Sequence, residues 1–293
     1  MARTAGLIGI TGATGRLGSR VAQRLATAGV DQRLLVRDRS RAPELPGAHA
    51  ERASFENTEA VRKALTGVST LLMVSASENP DRLAQHRSFV DAAAAAGVHH
   101  VVYTSFAGAA PDCAFTLGRD HYATEEHIRA SGLTFTFLRD NLYADFLVGM
   151  VGEDAVLRGP AGDGRVAAVA MDDVADAAAA VLLDPRPHAG VAYTLTGPEA
   201  LTLDEIADRL SAALNRRVTY ERETVEEAYA SRASYGAPQW QLDAWVSSYT
   251  SVANGEMAEV TDDIQRLTGH PATSLADLMA RGSGAYEPPS LPV

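Results

Sequence analysis

The 293-residue chain predicts an α/β fold: a Rossmann-type, doubly wound parallel sheet with a smaller, mainly helical carboxyl-terminal lobe. Three observations carry that expectation. Short continuous apolar runs alternate with helical patterns through the first half. The first run breaks directly into glycines that open a helix. The far half is mostly helical in pattern.

Taken in order, "GLIGIT" (6–11), "RLLVR" (33–37), "TLLMVSA" (70–76), "HVVYTS" (100–105) and "FTFLR" (135–139) read as buried parallel strands. After the first, Leu17, Val21 and Leu25 repeat at helical spacing, and Gly29 ends the helix. "NTEAVRKALTGV" opens on cap-forming Asn57 and Thr58 and stops at Gly67. "DRLAQHRSFVDAAAAAGV" closes at Gly97 in the same way, and "DHYATEEHIRASGL" at Gly132. Further on, "GDGRVAAVAMDDVADAAAAVLLDP" pairs a short strand with an alanine-rich helix, and "VAYTLTG" adds a strand. "TLDEIADRLSAALNRRVTYERE" gives a helix and a strand; helical segments then lead to a proline-rich tail, "YEPPSLPV", expected to be poorly ordered. The expected division is a dinucleotide-binding domain over 1–150 and a smaller acceptor-binding lobe over 151–293, with 165–196 returning to the sheet.

Composition narrows the partners. With 46% hydrophobic and 22% charged residues, the chain can bury a full-sized core. A net charge of -11 argues against nucleic acid or an anionic membrane surface as a partner. A single cysteine, Cys113, excludes a disulfide framework and a multi-cysteine metal site, and no metal is expected. Nothing approaches the ~20 apolar residues of a membrane span. The start, "MARTAGLIGITG", runs straight into the first strand with no room for a signal peptide, so the expectation is a soluble, cytoplasmic protein.

The glycines of "GATGRLG" stand at Gly12, Gly15 and Gly18, after a strand and opening a helix. That context allows a tight turn and a close approach of backbone to a pyrophosphate, whose charge the helix amino end favours. After the second strand, where NAD sites usually present an acid, stands Arg37, followed by "DRSR". A guanidinium suits a 2′-phosphate, so NADPH is the expected cofactor, with NADH the alternative because Asp38 is one residue late. Arg16, Arg39 and Arg41 can add positive potential.

The chain contains one lysine, Lys63. Four residues after Tyr103, Tyr122 and Tyr143 stand Ala107, Glu126 and Leu147, so the Tyr-x-x-x-Lys pair of alcohol dehydrogenases of the short-chain type is absent. Reduction of an isolated ketone needs an acid beside the nascent alkoxide. A quinone or another conjugated aromatic acceptor spreads that charge, and holding the reactants face to face then does most of the work.

The succession "ITGATGRLG", "LLMVSASE", "QHRSFVDAAAAAGVHHVVYTS", "HYATEEHIRASGLTFTFLRDNLYADF", "AAGDGR", "LTLDEIA" and "GHPATSLADLM" resembles the NmrA-like family of atypical short-chain dehydrogenases/reductases, notably its bacterial quinone- and triphenylmethane-reducing members. The likeness spans about residues 6–280. It implies an NADPH-dependent reductase with the acceptor in a cleft between domain and lobe. By motif, Gly12, Ala13, Thr14, Gly15, Arg16, Leu17, Gly18 and Arg37 would hold the adenosine end, with Phe55 as aromatic platform. Ser75, Ala76 and Ser77 would line the cofactor's middle, and Asp140, Asn141, Leu142 and Tyr143 would lie beside the nicotinamide, with Thr104 and Ser105 as further candidates. His121, of the H-x-x-T-E motif, and Tyr143 are the candidate catalytic residues; capping or core packing would explain the one, an aromatic wall the other. Tyr143, Phe146, Trp240 and Trp245 are the candidate acceptor-facing aromatics.

Two positions depart from the family pattern: Asp140 stands where an asparagine is usual, and Ser54 where an aspartate is. The leading expectation is hydride transfer to a quinone or similar acceptor. The alternatives are a reductase or epimerase of an aromatic or polyketide-like metabolite, and a non-catalytic NAD(P)-sensing regulator. The oligomeric state stays open, a homodimer being one option.

Overall fold

The computed structural model describes residues 6–56, 58–151 and 153–281; Asn57 and the proline-rich tail lie outside the described residues. In chain order the elements are β1 (Ile8–Thr11), α1 (Arg16–Thr27), β2 (Gln32–Val36), β3 (Ala48–Arg52), α2 (Thr58–Ala64), β4 (Thr70–Met73) and α3 (Arg82–Ala95). Next come β5 (His100–Phe106), α4 (Thr116–Ala130), β6 (Thr134–Asp140), β7 (Val156–Gly159), β8 (Arg165–Val166) and α5 (Met171–Leu183). The remainder is β9 (Val191–Leu195), β10 (Leu201–Thr202), α6 (Leu203–Leu214), β11 (Thr219–Arg222), α7 (Val225–Arg232), α8 (Gln239–Ala253), α9 (Asp263–Thr268) and α10 (Leu275–Ala280). No described helix is long and apolar enough to cross a membrane.

The main sheet has seven strands in the order β3-β2-β1-β4-β5-β6-β9, and the ladders joining β3, β2, β1, β4 and β5 are parallel. The expected Rossmann-type architecture is therefore present. The order reverses between β1 and β4, and in open α/β sheets a ligand binds outside the carboxyl ends of the strands at such a point. β3 is not among the apolar runs because "AHAER" is an edge strand with no fully buried residue.

Two compact units share the chain. Among the described residues, one takes those up to Phe106 with Asp120–Arg139 and Asp172–Tyr193; the other takes Ala107–Arg119, Asp140–Met171 and those from Thr194 onward. In the first unit a core gathers Leu35, Leu71, Met73, Val101, Tyr103 and Phe137 from the strands with Val61, Phe89, Val90 and Ile128 from helices. Burying each such side chain contributes about 1.5–3 kcal/mol. Helix α1 buries Leu17, Val21 and Leu25 on one stripe. Arg20 reaches Asp172 at 3.2 Å, and Arg24 reaches Asp172 at 3.0 Å and Asp176 at 2.5 Å, tying α1 to α5.

In the second unit, β7 pairs in parallel with β11 and β8 antiparallel with β10. Helices α6 and α7 both start with a capping box, Thr202 with Glu205 and Thr224 with Glu227. Leu203, Ile206 and Leu210 form the buried stripe of α6.

The first turn of α1 sits hard against the loop after β1. A Cβ at position 18 would lie 2.3 Å from the Gly12 carbonyl oxygen, whereas one at position 15 would lie 3.2 Å from it. Gly18→Ala is therefore expected to cost about 1–3 kcal/mol of stability, read from the urea midpoint, and Gly15→Ala clearly less. Equal losses at the two positions would contradict this contact.

Candidate functional site

The loop between β1 and α1 is shaped by backbone demands. Gly12 sits at φ +66°, a left-handed conformation that favours glycine, and its carbonyl accepts the Gly15 N–H at 2.8 Å. Gly15 caps α1 without any side-chain hydrogen bond, and the first turn carries no acidic residue. The helix thus presents its positive end unneutralised. Ala13 and Leu17 are buried, so they pack; Gly12, Thr14, Gly15 and Arg16 are exposed.

This loop forms one wall of a cavity of about 540 Å³, within the range of cofactor pockets. Its lining includes Thr14, Arg37, Ser54, Phe55, the stretch from Val74 to Asp81, and Gln85. Arg37 is exposed and carries no ion pair among the described residues. Asp38, its possible competitor, is turned away: it accepts from the Ser40 N–H at 2.9 Å and the Ser40 hydroxyl at 2.7 Å, capping a short 3-10 turn. Those two bonds hold its carboxyl below the usual aspartate range. Arg39 is paired with Glu51. Phe55 stacks on Phe89 with ring centroids 4.5 Å apart, a flat apolar surface at the cavity wall.

Beyond β4, the Ser75–Ser77 segment is small-residue backbone held from beneath. Ser75 N–H donates to Thr104 Oγ1 at 2.9 Å, and Ala76 N–H donates to His86 Nε2 at 2.9 Å. The Ala76 carbonyl accepts from Arg82 Nε at 3.0 Å. Thr104 therefore acts through the loop, and Ser105 donates to Glu125 at 2.6 Å; both hydroxyls are spent inside the protein. Arg82 and His86 were not singled out from the sequence, since an arginine in the first turn of a helix reads as a solvated charge. Here it is 3% exposed.

The H-x-x-T-E motif on α4 is buried throughout its polar positions. His121 Nε2 lies 2.9 Å from Arg82 Nη2 and Nδ1 lies 2.9 Å from the Tyr103 hydroxyl. A guanidinium can only donate, so Nε2 is the acceptor and the single ring proton sits on Nδ1, directed at Tyr103. Burial, reinforced by the Arg82 charge, keeps this histidine far below its ordinary pKa and neutral. Neither nitrogen has a proton to spare for a ligand. His86 follows the same logic: burial pushes it down to about 3, and its Nδ1 faces Thr124 Oγ1 at 2.9 Å. Glu125 receives a fork from Arg139, at 2.8 and 2.6 Å, and a further bond from Arg129 at 3.1 Å.

After β6 the polar residues divide. Asn141 is spent on backbone: its Nδ2 donates to the Met257 carbonyl at 3.0 Å and its Oδ1 accepts from Leu142 N–H at 2.8 Å. Asp140 is 6% exposed and accepts a short hydrogen bond from the Tyr143 hydroxyl. Burial outweighs that bond and raises the Asp140 carboxyl to about 7. Burial, then the neighbouring carboxylate, pushes the Tyr143 phenol well above its ordinary value. Tyr143 packs edge-on to Phe146 at 5.5 Å. In the second unit, Trp245 lines a separate cavity of about 540 Å³ with Met150, Tyr235 and Tyr249; Trp240 is outside its lining.

Comparison with known proteins gives this arrangement its context. The chain is 34% identical to quinone oxidoreductase 2 of Escherichia coli over 92% of its length and 96% of that protein's. It is 31% identical to an NAD(P)H azoreductase of Xenophilus azovorans, with 96% and 99% covered. The solved structure of an Escherichia coli NADPH-dependent quinone oxidoreductase complexed with NADPH superposes with a TM-score of 0.86 at 33% identity, covering 94% of this chain and 99% of that one. A triphenylmethane reductase from Citrobacter sp., complexed with NADP(H), gives 0.84 at 32% identity over the same shares. Residues 4–258 match the NmrA-like family, and with that match the chain belongs to the NmrA-like family.

Proposed function

We propose that this chain is an NADPH-dependent reductase that transfers hydride to a quinone or a similar conjugated acceptor. The single observation that carries the reading is the cavity at the carboxyl ends of β1, β2 and β4, with a helix end lacking a side-chain cap at one wall and Arg37, without an ion pair among the described residues, at another. Its residues fit a phosphorylated dinucleotide. Gly12, Gly15 and the first turn of α1 would hold the pyrophosphate, Phe55 the adenine, and Arg37 the 2′-phosphate. The similar proteins bind NADPH or NADP(H) and act on quinones, azo compounds or triphenylmethane dyes, acceptors that delocalise incoming charge. When bound, the reduced nicotinamide supplies the hydride.

The proton is the task of this chain's own residues. With His121 neutral and committed, the Asp140–Tyr143 pair takes the role. When Asp140 is ionised, the Tyr143 hydroxyl is donated to it. When Asp140 is protonated on Oδ2, the bond can reverse, and the Tyr143 hydroxyl is released to donate outward to the acceptor oxygen. Tyr143 is thus a donor only below the Asp140 midpoint of about 7. Asn141 and Leu142 fix the backbone on which the pair is carried.

Titration with NADPH and NADH, followed by absorbance at 340 nm (~the reduced nicotinamide band) with a panel of quinones, tests the reading. Tight NADPH binding with no oxidation by any acceptor would instead mark a dinucleotide sensor. Arg37→Glu is expected to weaken NADPH roughly 10- to 100-fold and NADH only slightly; equal losses would remove Arg37 from the 2′-phosphate.

For the proton, turnover of wild type is expected to fall as pH rises through about 7, and Asp140→Asn to abolish that limb. Tyr143→Phe should lower turnover by at least about tenfold. An unchanged limb in Asp140→Asn would refute the assignment. Stability carries the same sign. The folded Asp140 value lies above the ordinary 3.8, so its contribution is complete below 3.8 and lost as pH rises through about 7. Asp140→Asn should therefore gain on wild type with rising pH, by up to about 4 kcal/mol, in urea titrations at pH 4 and 8.

A further inference from the structure

We propose that Arg82 is a positioning residue for dinucleotide binding, holding the Ser75–Ser77 loop in the shape that the cofactor's middle requires. The inference rests on the reading of the cavity as a dinucleotide site.

The loop cannot set its own path. Ser75, Ala76 and Ser77 carry no side chain large enough to anchor in a core, and the strand ladder of β4 ends at Met73. Its course is decided by what grips its peptide groups. At Ala76 both are gripped by side chains of α3: His86 takes the N–H at 2.9 Å and Arg82 Nε donates to the C=O at 3.0 Å. This segment then forms a wall of the cavity. The Ser75 and Ala76 amides are consumed from below, so the loop offers a ligand its shape and close approach rather than these two donors.

Arg82 is not explained as an ordinary ion pair. It is 3% exposed, and its carboxylate partner, Asp120, stands at 3.4 Å with a side chain that is itself 28% exposed. Its better-placed contacts are the Ala76 carbonyl and His121 Nε2 at 2.9 Å. A buried cation is costly unless its donors are all directed at acceptors. The planar fork meets that demand by reaching a loop carbonyl and a histidine ring at once, which an ammonium on a flexible stem does not do. The neighbouring guanidinium also disfavours protonation of His86, so its Nε2 stays an acceptor for Ala76 N–H.

The test is NADPH binding and steady-state kinetics on full-length variants. Arg82→Met keeps most of the stem and removes all three contacts. We expect its NADPH Kd and KM to rise by at least about tenfold, with the quinone KM and the kcat at saturating NADPH within about threefold of wild type. Arg82→Lys should recover less than half of that loss. The control is His100→Leu, which removes a buried bond of 2.8 Å to Thr136 at the start of β5, away from the cavity; its Kd should stay at the wild-type value. An Arg82→Met Kd within about twofold of wild type overturns the proposal, as does an equal rise in His100→Leu, which would make the effect one of general stability. If Arg82→Met does not fold, His86→Leu, which frees the Ala76 amide alone, must show the same selective loss or the proposal fails. A wild type that binds no NADPH overturns the dinucleotide reading and this one together; a failure confined to the variants overturns only the role of Arg82.

Discussion

Little more than one turn of α4 holds β5, β6 and the start of α3 in register. On α4, His121, Thr124 and Glu125 point inward and are each 7% exposed or less. They meet Tyr103 and Ser105 of β5, Arg139 of β6, and Arg82 and His86 of α3. A buried polar group left without its partner costs about 1–3 kcal/mol, so these contacts succeed or fail together. Strands β5 and β6 and the start of α3 are therefore fixed relative to one another far more narrowly than apolar packing alone would fix them. The H-x-x-T-E motif acts as a clamp, and what it clamps is the backbone around the cavity.

The chemistry is divided along that backbone. In the proposed dinucleotide site, recognition is a matter of close approach and charge: glycines that let α1 touch the β1 loop, a helix end without a side-chain cap, and a guanidinium whose neighbouring acid is occupied. After β6, one carboxyl and one phenol share a bond in a buried setting, the pair to which the proposed reaction assigns the proton. The absence of a lysine-activated tyrosine fits an acceptor that tolerates slow or late protonation. The tyrosine here is governed by an acid of near-neutral midpoint instead of by an ammonium.

The sequence was legible wherever physics acts locally. Five apolar runs mark the strands β1, β2, β4, β5 and β6, because a strand covered on both faces is built mostly of apolar residues. The short strands β8 and β11 fall in stretches that read as strands, whereas the edge strand β3 and the short strands β7 and β10 are harder to see, since half-buried pairs of two to five residues carry no such run. Glycine spacing and Arg37 were visible for the same local reasons. Asp38 looked like a competitor for the ribose until its turn geometry showed Ser40 as its partner. For His121 the sequence leaves proton donor and core histidine both open, because the choice rests on Arg82 and Tyr103, which stand 39 and 18 residues away in the chain. Arg82 itself was hidden because helix-start arginines are usually solvated.

The chain passes between its two compact units after Phe106, Arg139, Met171 and Tyr193, and returns once more at Asp120. No contiguous segment encodes either unit. A gene rearrangement that moves one block of sequence therefore cannot replace either unit while keeping the other intact. Any change to the second unit alone must instead be assembled from substitutions scattered over three separated stretches. Modularity, common in proteins that combine a nucleotide domain with a substrate domain, is closed to this one by its threading.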